Sequence, residues 1–118
     1  MEIDKKRVRE QKLGARFTVV DCEGIMTIGS LKIKLDIPWA QSLKDKRSAT
    51  KSLQARLRKD LNVSVAEVDH QDVHKTAVLG IVFVTTDRTQ ADRIAESVLA
   101  HIERNTDAVI VDVERDTW

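Results

Sequence analysis

The chain has 118 residues, enough for one domain with a single hydrophobic core. A composition of 42% hydrophobic and 33% charged residues, with four glycines and one proline, excludes a disordered or low-complexity chain. The formal net charge of +1 excludes nucleic-acid binding through overall positive charge, so any such binding depends on where the cations lie. The single cysteine, Cys22, excludes an internal disulfide and favours a reducing, cytoplasmic location.

Residues 1–25 show no clear periodicity and carry a mixed set of charges. We expect them to be an N-terminal extension, poorly ordered or arising from a mis-assigned start, ahead of a single domain at residues 26–118. The alternative is that Arg16–Cys22 forms an extra strand. The longest apolar run, Ile81–Val84, is far shorter than the ~20 residues that span a bilayer, so no membrane partner is expected.

The domain opens with a strand and a helix. Apolar and polar residues alternate from Leu31 to Ile37, which predicts a half-buried strand that Pro38 ends. Ser42 and Asp45 then form a capping-box variant, which predicts a helix running to about Leu61. The residues predicted for its apolar face are Ala49, Leu53, Leu57 and Leu61.

The remaining elements complete a recognisable order. Val63–Val68 and Ala77–Thr85 read as the two strands of a hairpin. Asp87 is a good N-cap for a second helix that reaches about Asn105, and Ala108–Glu114 alternates as a last strand. The order β-α-β-β-α-β predicts a ferredoxin-like α+β fold, with a four-stranded antiparallel sheet ordered 4-1-3-2 and two helices on one face.

The third predicted strand is apolar on both sides. Val78, Val82 and Val84 point away from the face that carries Leu79 and Ile81. Strands with two apolar faces are usually covered on both, so these valines indicate a homodimer or partner contact on the open face of the sheet. The alternative is that valine is simply favoured in strands.

A basic stripe runs along the first predicted helix. Lys44, Arg47, Lys51 and Arg58 fall within one narrow arc of the helical wheel. Four cations on one face can contact successive phosphates of a nucleic acid, with salt-dependent and sequence-independent affinity. The alternative is an ordinary solvated face, because Lys and Arg are good helix formers. Lys46 points toward the apolar face instead, and we expect it to reach solvent, with pairing to Asp69 or Asp72 as the alternative.

The hairpin tip concentrates carboxylates and imidazoles. Asp69, Asp72, His70 and His74 could supply donors to a divalent metal ion. A His-x-x-x-His spacing brings two ligands together on a helix, whereas in a turn it guarantees nothing, and Asp is common in turns. We therefore predict no metal site and interpret Asp69, His70, Gln71 and Asp72 as a turn or docking motif.

Several separated motifs together resemble the YlxP-like family of small bacterial ferredoxin-like proteins. They are Ser42–Arg47, Asn62–Asp72, Leu79-Gly80 and Asp112–Arg115, and the match extends over about residues 26–118. Members of the family have no established activity and are often encoded beside translation factors and ribosome-binding factor A. The resemblance therefore implies an association with translation or ribosome maturation. The chain departs from the family at His74-Lys75-Thr76, where relatives tend to carry Trp-Gln-Arg.

The function expected from these observations is binding. The chain has no glycine-rich phosphate loop, nucleophile elbow or Cys-x-x-Cys motif, so we expect no enzyme activity and no cofactor. We expect a cytoplasmic module that contacts ribosomal RNA or ribosome-maturation proteins. The alternatives are a metal- or small-ligand-binding protein that uses residues 69–74, and a purely structural homodimer.

Overall fold

A computed structural model of the chain describes residues 26–69 and 73–118. The predicted N-terminal extension and three residues of the hairpin tip (His70, Gln71 and Asp72) lie outside these ranges. The elements, in chain order, are strand β1 (Thr27–Asp36), helix α1 (Leu43–Asp60), strands β2 (Ser64–Asp69) and β3 (Thr76–Thr85), helix α2 (Arg88–Asn105) and strand β4 (Val109–Thr117).

The four strands form one antiparallel sheet in the order β2-β3-β1-β4. This is the predicted order 4-1-3-2 seen from the other side, so the prediction of a ferredoxin-like α+β fold is confirmed. Strands β1 and β3 are central, while β2 and β4 form the two edges. Neither of the two described helices is long and apolar enough to cross a membrane.

The core lies between the sheet and the helices, and it follows the predicted periodicities. Alternate residues of β1 are buried, while the intervening residues face away from the helices. Both helices contribute one apolar face. The buried apolar side chains from these three elements are Leu31, Ile33, Leu35, Leu53, Leu57, Ala91, Ala95, Val98 and Ile102. Full burial of one of the larger apolar side chains stabilises a fold by about 1.5–3 kcal/mol.

Position 29 of β1 requires glycine because an aromatic ring lies directly against it. Gly29 lies opposite Phe83 of β3, and a Cβ atom at position 29 would come within 2.3 Å of Cζ of the phenylalanine ring. The ring thus occupies the space that a side chain would otherwise fill, and it is 4% exposed. An aromatic side chain that covers a cross-strand glycine in this way helps fix the register of the two central strands.

The last strand differs from its predicted pattern. The sequence predicts that Val109, Val111 and Val113 share one face of β4, but the register of β4 against β1 shifts between Lys34 and Leu35. Ile110 and Val113 consequently pack against the core, whereas Val109 and Val111 are about half exposed. The prediction of strict alternation is wrong here because an irregularity in strand pairing changes which residues face the core.

Both helices begin at the predicted caps. The Ser42 hydroxyl accepts a hydrogen bond from the Asp45 backbone N–H at 3.1 Å, and the Asp45 carboxylate accepts one from the Gln41 N–H at 2.9 Å. Asp87 caps α2 in the same way, because its carboxylate accepts from the Gln90 N–H at 2.9 Å. These contacts satisfy donors that a helix leaves unpaired at its first turn.

Candidate functional site

A groove of about 690 Å³ separates helix α1 from edge strand β2. One face of the helix forms one wall, and the strand forms the other. The side chains and backbone that line the groove belong to Arg47, Thr50, Lys51, Gln54, Arg58, Val65, Ala66 and Glu67. The groove is therefore built from the two elements that carry the longest family motifs.

Three of the four predicted basic-stripe residues meet in this groove. Arg47, Lys51 and Arg58 all line it, and all three are exposed. They extend over about 16 Å of the helix axis, at a rise of ~1.5 Å per residue. Lys44 is exposed on the same side of α1, one turn before Arg47, but does not line the groove. The predicted stripe is thus a wall of a concave surface rather than a flat helix face.

Arg58 is held in a fixed position. Its Nη2 donates hydrogen bonds to the backbone oxygen of Val65, at 2.9 Å, and to Oε1 of Gln54, at 3.2 Å. The first contact satisfies an outward-facing carbonyl of edge strand β2. A covered edge is a poor template for pairing with another strand. The guanidinium keeps its other N–H donors, since it has five in all, and these are available to an anion in the groove.

The floor of the groove contains a buried ion pair. Nζ of Lys46 lies 2.8 Å from Oε2 of Glu67 and donates a hydrogen bond to the backbone oxygen of Thr76 at 3.1 Å. The Lys46 side chain is only 1% exposed, and that of Glu67 is 16% exposed. The expectation that Lys46 reaches solvent is wrong, and among the described residues Glu67 is a carboxylate partner of its ammonium group. The lysine can stay buried because a carboxylate within contact distance compensates its charge.

The ion pair also decides the electrostatics of the groove. Glu67 is the acidic residue among those that line it, and its charge is matched by Lys46. The charges of Arg47, Lys51 and Arg58 are therefore not offset by a free carboxylate within the lining. A concave surface lined by positive charges concentrates their electric field in the groove, which attracts an approaching anion.

Sequence reasoning missed Glu67, Thr50 and Gln54 as groove residues. A carboxylate in the middle of a predicted strand, on the same side as buried Val65, was the available signal for Glu67. Buried charges are almost always paired, so a core-directed lysine and a core-directed glutamate predict each other. Thr50 and Gln54 have no distinguishing sequence signal, because their role follows from the path of β2 beside the helix.

The hairpin tip is only partly described. Among the predicted motif residues, Asp69 ends β2, while His70, Gln71 and Asp72 lie outside the described residues. Within residues 26–69 and 73–118, no group of three or more His, Cys, Asp and Glu side chains could hold a metal ion. Lys75, at the point where the chain departs from the family pattern, donates hydrogen bonds from Nζ to the backbone oxygens of Pro38 and Ala40, at 2.9 and 2.8 Å. It thus supports the loop that leads into α1.

A second polar contact joins the two helices. His101 of α2 is buried, and its Nε2 lies 2.8 Å from Oδ2 of Asp60 near the end of α1. This hydrogen bond holds the pKa of Asp60 below its ordinary value of 3.8, with smaller contributions from the charges of Lys59 and Arg56. Nδ1 of His101 is buried and has no hydrogen-bond partner in the described structure. The tautomer with its proton on Nε2 fits this arrangement, because it donates to Asp60 and leaves no N–H unpaired.

The open face of the sheet carries the predicted valines, but not with equal exposure. Val82 is 46% exposed and Val84 is 61% exposed. Val78 is 3% exposed, because its neighbours Lys32, Lys34 and Asp112 cover it. Of the three valines expected to form a contact surface, only Val82 and Val84 can do so in this conformation.

These features define the class of protein: a ferredoxin-like domain with a basic groove between its first helix and an edge strand. The chain belongs to the family described as "Protein of unknown function (DUF503)", whose model matches residues 28–115. It is 34% identical over 76 residues to the "Uncharacterized protein YlxP" of Bacillus subtilis (strain 168), a match that covers 64% of this chain and 83% of the relative. The assignment to a YlxP-like family is therefore confirmed.

The chain is also similar to a solved structure. The de novo designed protein Foldit4 has 17% sequence identity and a TM-score of 0.44 with this chain. The superposition covers 79% of this chain and 96% of the designed protein.

Proposed function

We propose that this protein is a non-enzymatic, cytoplasmic binding module that holds RNA by its phosphate backbone in the groove between α1 and β2. The RNA would be ribosomal, and the protein would act in ribosome maturation or translation. The observation that carries the proposal is the meeting of Arg47, Lys51 and Arg58 in one groove. Among the described residues that line it, the only carboxylate is Glu67, which is paired with Lys46. Salt-dependent phosphate binding needs such an uncompensated cluster even when the whole chain is nearly neutral.

The chemistry of the groove favours backbone contact over base recognition. None of the described residues that line it is aromatic, so they offer bases no ring on which to stack. The cations are long side chains that can follow phosphates without reading sequence. Affinity would therefore depend strongly on salt and weakly on sequence.

The geometry is less suitable for an added peptide strand, which is the usual ligand of a groove between a helix and a sheet edge. Strand addition uses the free backbone groups of the edge. In this protein Arg58 already donates to the Val65 carbonyl of β2. An anionic ligand can use the remaining donors of Arg58 without breaking that contact.

The decisive experiment compares two double charge reversals by fluorescence anisotropy with labelled ribosomal RNA fragments. One variant is Arg47→Glu with Lys51→Glu, and its matched control is Arg88→Glu with Arg93→Glu on exposed positions of α2. Both change the net charge equally. We expect the groove variant to lose affinity by at least about tenfold and to have a salt slope shallower by about 1.5, as for two lost phosphate contacts. The α2 control should retain most of the affinity.

Either of two outcomes would overturn the proposal. Equal losses in the two variants would mean that only the overall charge matters. Unchanged binding in the groove variant would mean that RNA, if bound, lies elsewhere. Lys44→Glu provides a finer comparison, because Lys44 lies outside the groove lining and should matter less than Arg47.

A further inference from the structure

The face of the sheet opposite the helices has an apolar end. Val84 of β3 pairs with Ile28 of β1, and Ile28 exchanges two backbone hydrogen bonds with Trp118, at 2.8 and 2.7 Å. These three side chains form one row across three strands, and Val82 lies two positions along β3 from Val84. Val82, Val84 and Trp118 are 46%, 61% and 43% exposed. Adjacent exposed apolar side chains on one face are typical of an interaction surface.

The rest of that face is charged in a regular pattern. Lys32 of β1 lies directly opposite Glu114 of β4, and Lys34 lies directly opposite Asp112. The cations therefore form a column on β1, and the anions form a parallel column on the neighbouring edge strand. Across β1 and β4, each of these two rows holds one charge of each sign. Asp69 of β2 lies farther along the second row, beyond Val78, and Asp36 and Asp116 lie outside the two rows.

We infer that a second copy of this chain covers the β1–β4 part of this face, in a two-fold symmetric homodimer with these strands stacked. A two-fold axis that runs parallel to the strands, between β1 and β4, places β1 of one copy over β4 of the other. Each Lys32 then faces Glu114 of the second copy, and each Lys34 faces Asp112 of the second copy. The same operation places Ile28 over Trp118 of the second copy.

The charge pattern is the reason for choosing a second copy over a different partner. An isologous interface brings the same patch of two subunits together, so the patch has to be complementary to itself. Paired columns of opposite sign meet that condition. A nucleic acid would be repelled by Asp112 and Glu114, and a partner of uniform charge would leave one column opposed by like charges, which costs several kcal/mol. Sheets stacked in this way lie ~10 Å apart, which is enough room for these side chains.

This dimer is independent of the proposed groove function, because the groove lies between α1 and the edge of β2. Both subunits would keep their grooves accessible, since the helices lie on the opposite face of each sheet. A failure of RNA binding would therefore leave the dimer untouched, and a monomeric chain would leave the RNA proposal untouched.

Sedimentation equilibrium of the full chain over a wide concentration range is the first test, and we expect a dimer. Two charge variants then probe the columns: Lys32→Glu with Lys34→Glu makes both columns acidic, while Asp112→Lys with Glu114→Lys makes both columns basic. Each variant alone should dissociate, with the dimer dissociation constant raised at least about tenfold. An equimolar mixture of the two should form a heterodimer, because the acidic columns of one then meet the basic columns of the other.

The mixture distinguishes charges that act across a dimer interface from charges that only support the fold of one subunit. A variant that misfolds cannot be rescued by its counterpart, and the far-ultraviolet circular dichroism of each variant checks the fold directly. Trp118→Asp, at an exposed position that the axis places over Ile28 of the second copy, should weaken the dimer without the charge columns being altered. Three outcomes would each overturn the inference. The wild-type chain could stay monomeric, the charge variants could dimerise as well as wild type, or the mixture could fail to associate while both variants are folded.

Discussion

Nζ of Lys46 lies 2.8 Å from Oε2 of Glu67, and this buried ion pair joins the two longest family motifs of the chain. Lys46 belongs to Ser42–Arg47 at the start of α1, while Glu67 belongs to Asn62–Asp72, which includes β2. The pair and the bond to the Thr76 oxygen hold the helix against two strands. The wall that carries Arg47 and the wall formed by β2 are thereby kept at a fixed separation.

Breaking this pair should destabilise the protein strongly. Glu67→Gln removes the carboxylate that lies 2.8 Å from the buried ammonium of Lys46, so we expect a loss of about 3–5 kcal/mol in the free energy of unfolding. Lys46→Met should cost less, about 2–3 kcal/mol, because the remaining Glu67 carboxylate can be hydrated from the groove. The double variant should cost less than the sum of the two. Urea unfolding measures all three values.

A surface ion pair provides the control for that comparison. Arg115 contacts Asp92 and Glu96 at 3.1 and 2.9 Å, but all three side chains are well exposed. Arg115→Met should therefore cost less than about 1 kcal/mol. Additive losses for Lys46→Met and Glu67→Gln, or losses no larger than that of Arg115→Met, would show that the buried pair has no special coupling.

The sequence was sufficient for the features that depend on local periodicity. The capping box at Ser42, the alternation of β1 and the placement of Arg47, Lys51 and Arg58 on one side of α1 all follow from residue spacing within a single element. The groove itself required tertiary information, because its second wall is a strand that follows the helix in the chain. Periodicity shows which way a side chain points, but it does not show which element lies opposite.

The wrong predictions share a physical cause. Lys46 was expected to reach solvent, whereas the actual register of β2 against β3 brings Glu67 within contact distance of it. Val111 was predicted to share a face with Val113, and a pairing irregularity beside Lys34 turned it outward. Register is set by contacts between strands, so a one-residue shift reverses the faces without any change in local pattern.

The contact between Gly29 and Phe83 predicts a severe effect for Gly29→Ala. The new Cβ would lie 2.3, 2.5 and 3.0 Å from three ring atoms, which forces the ring or the strand to move. Overpacking of this kind costs about 1–3 kcal/mol, and we expect the upper half of that range. Thermal or urea unfolding checks the value, and adding Phe83→Leu should recover part of the loss by removing the ring.

Gly80 provides the matched comparison on the other face of the sheet. A Cβ there would come within 2.9 Å of a methyl carbon of Val68, which is exposed and can change rotamer. Gly80→Ala should thus cost under about 1 kcal/mol, and less than Gly29→Ala. A larger loss at Gly80, or no recovery when Phe83→Leu is added to Gly29→Ala, would contradict this account of the two glycines.

The cap at Ser42 can be tested against another serine in the same helix. Ser42→Ala removes the acceptor for the Asp45 N–H, and we expect a loss of about 1 kcal/mol. Ser48→Ala makes the same chemical change at an exposed position inside α1, where alanine has the higher helix propensity. It should raise stability slightly, by about 0.3–0.5 kcal/mol. Changes of opposite sign in the free energy of unfolding, measured by chemical denaturation, would support the capping role of Ser42, whereas equal changes would contradict it.

The contact between Asp60 and His101 predicts a specific dependence of stability on pH. The hydrogen bond from His101 lowers the pKa of Asp60 in the folded state, so the unfolded state binds a proton more readily. The stabilisation is fully present above the ordinary value of 3.8 and is lost as the pH falls through the lower, folded-state pKa. The Asp60→Asn variant lacks the carboxyl group that titrates. We therefore expect wild type to melt at a higher temperature than this variant near neutral pH, and the two melting temperatures to converge in acid.

Asp92 provides the control for this titration, because it is also an exposed carboxylate held by a side-chain donor, Arg115, but it lies more than two turns from His101 along α2. His101→Leu removes the donor to Asp60 and should abolish the pH-dependent difference between Asp60 and Asn at position 60, whereas Asp92→Asn should leave it intact. The measurement is a series of thermal melts across the acid range for each pair. A difference that persists undiminished in strong acid, or that survives His101→Leu, would show that the Asp60 carboxylate does not stabilise the fold through the histidine.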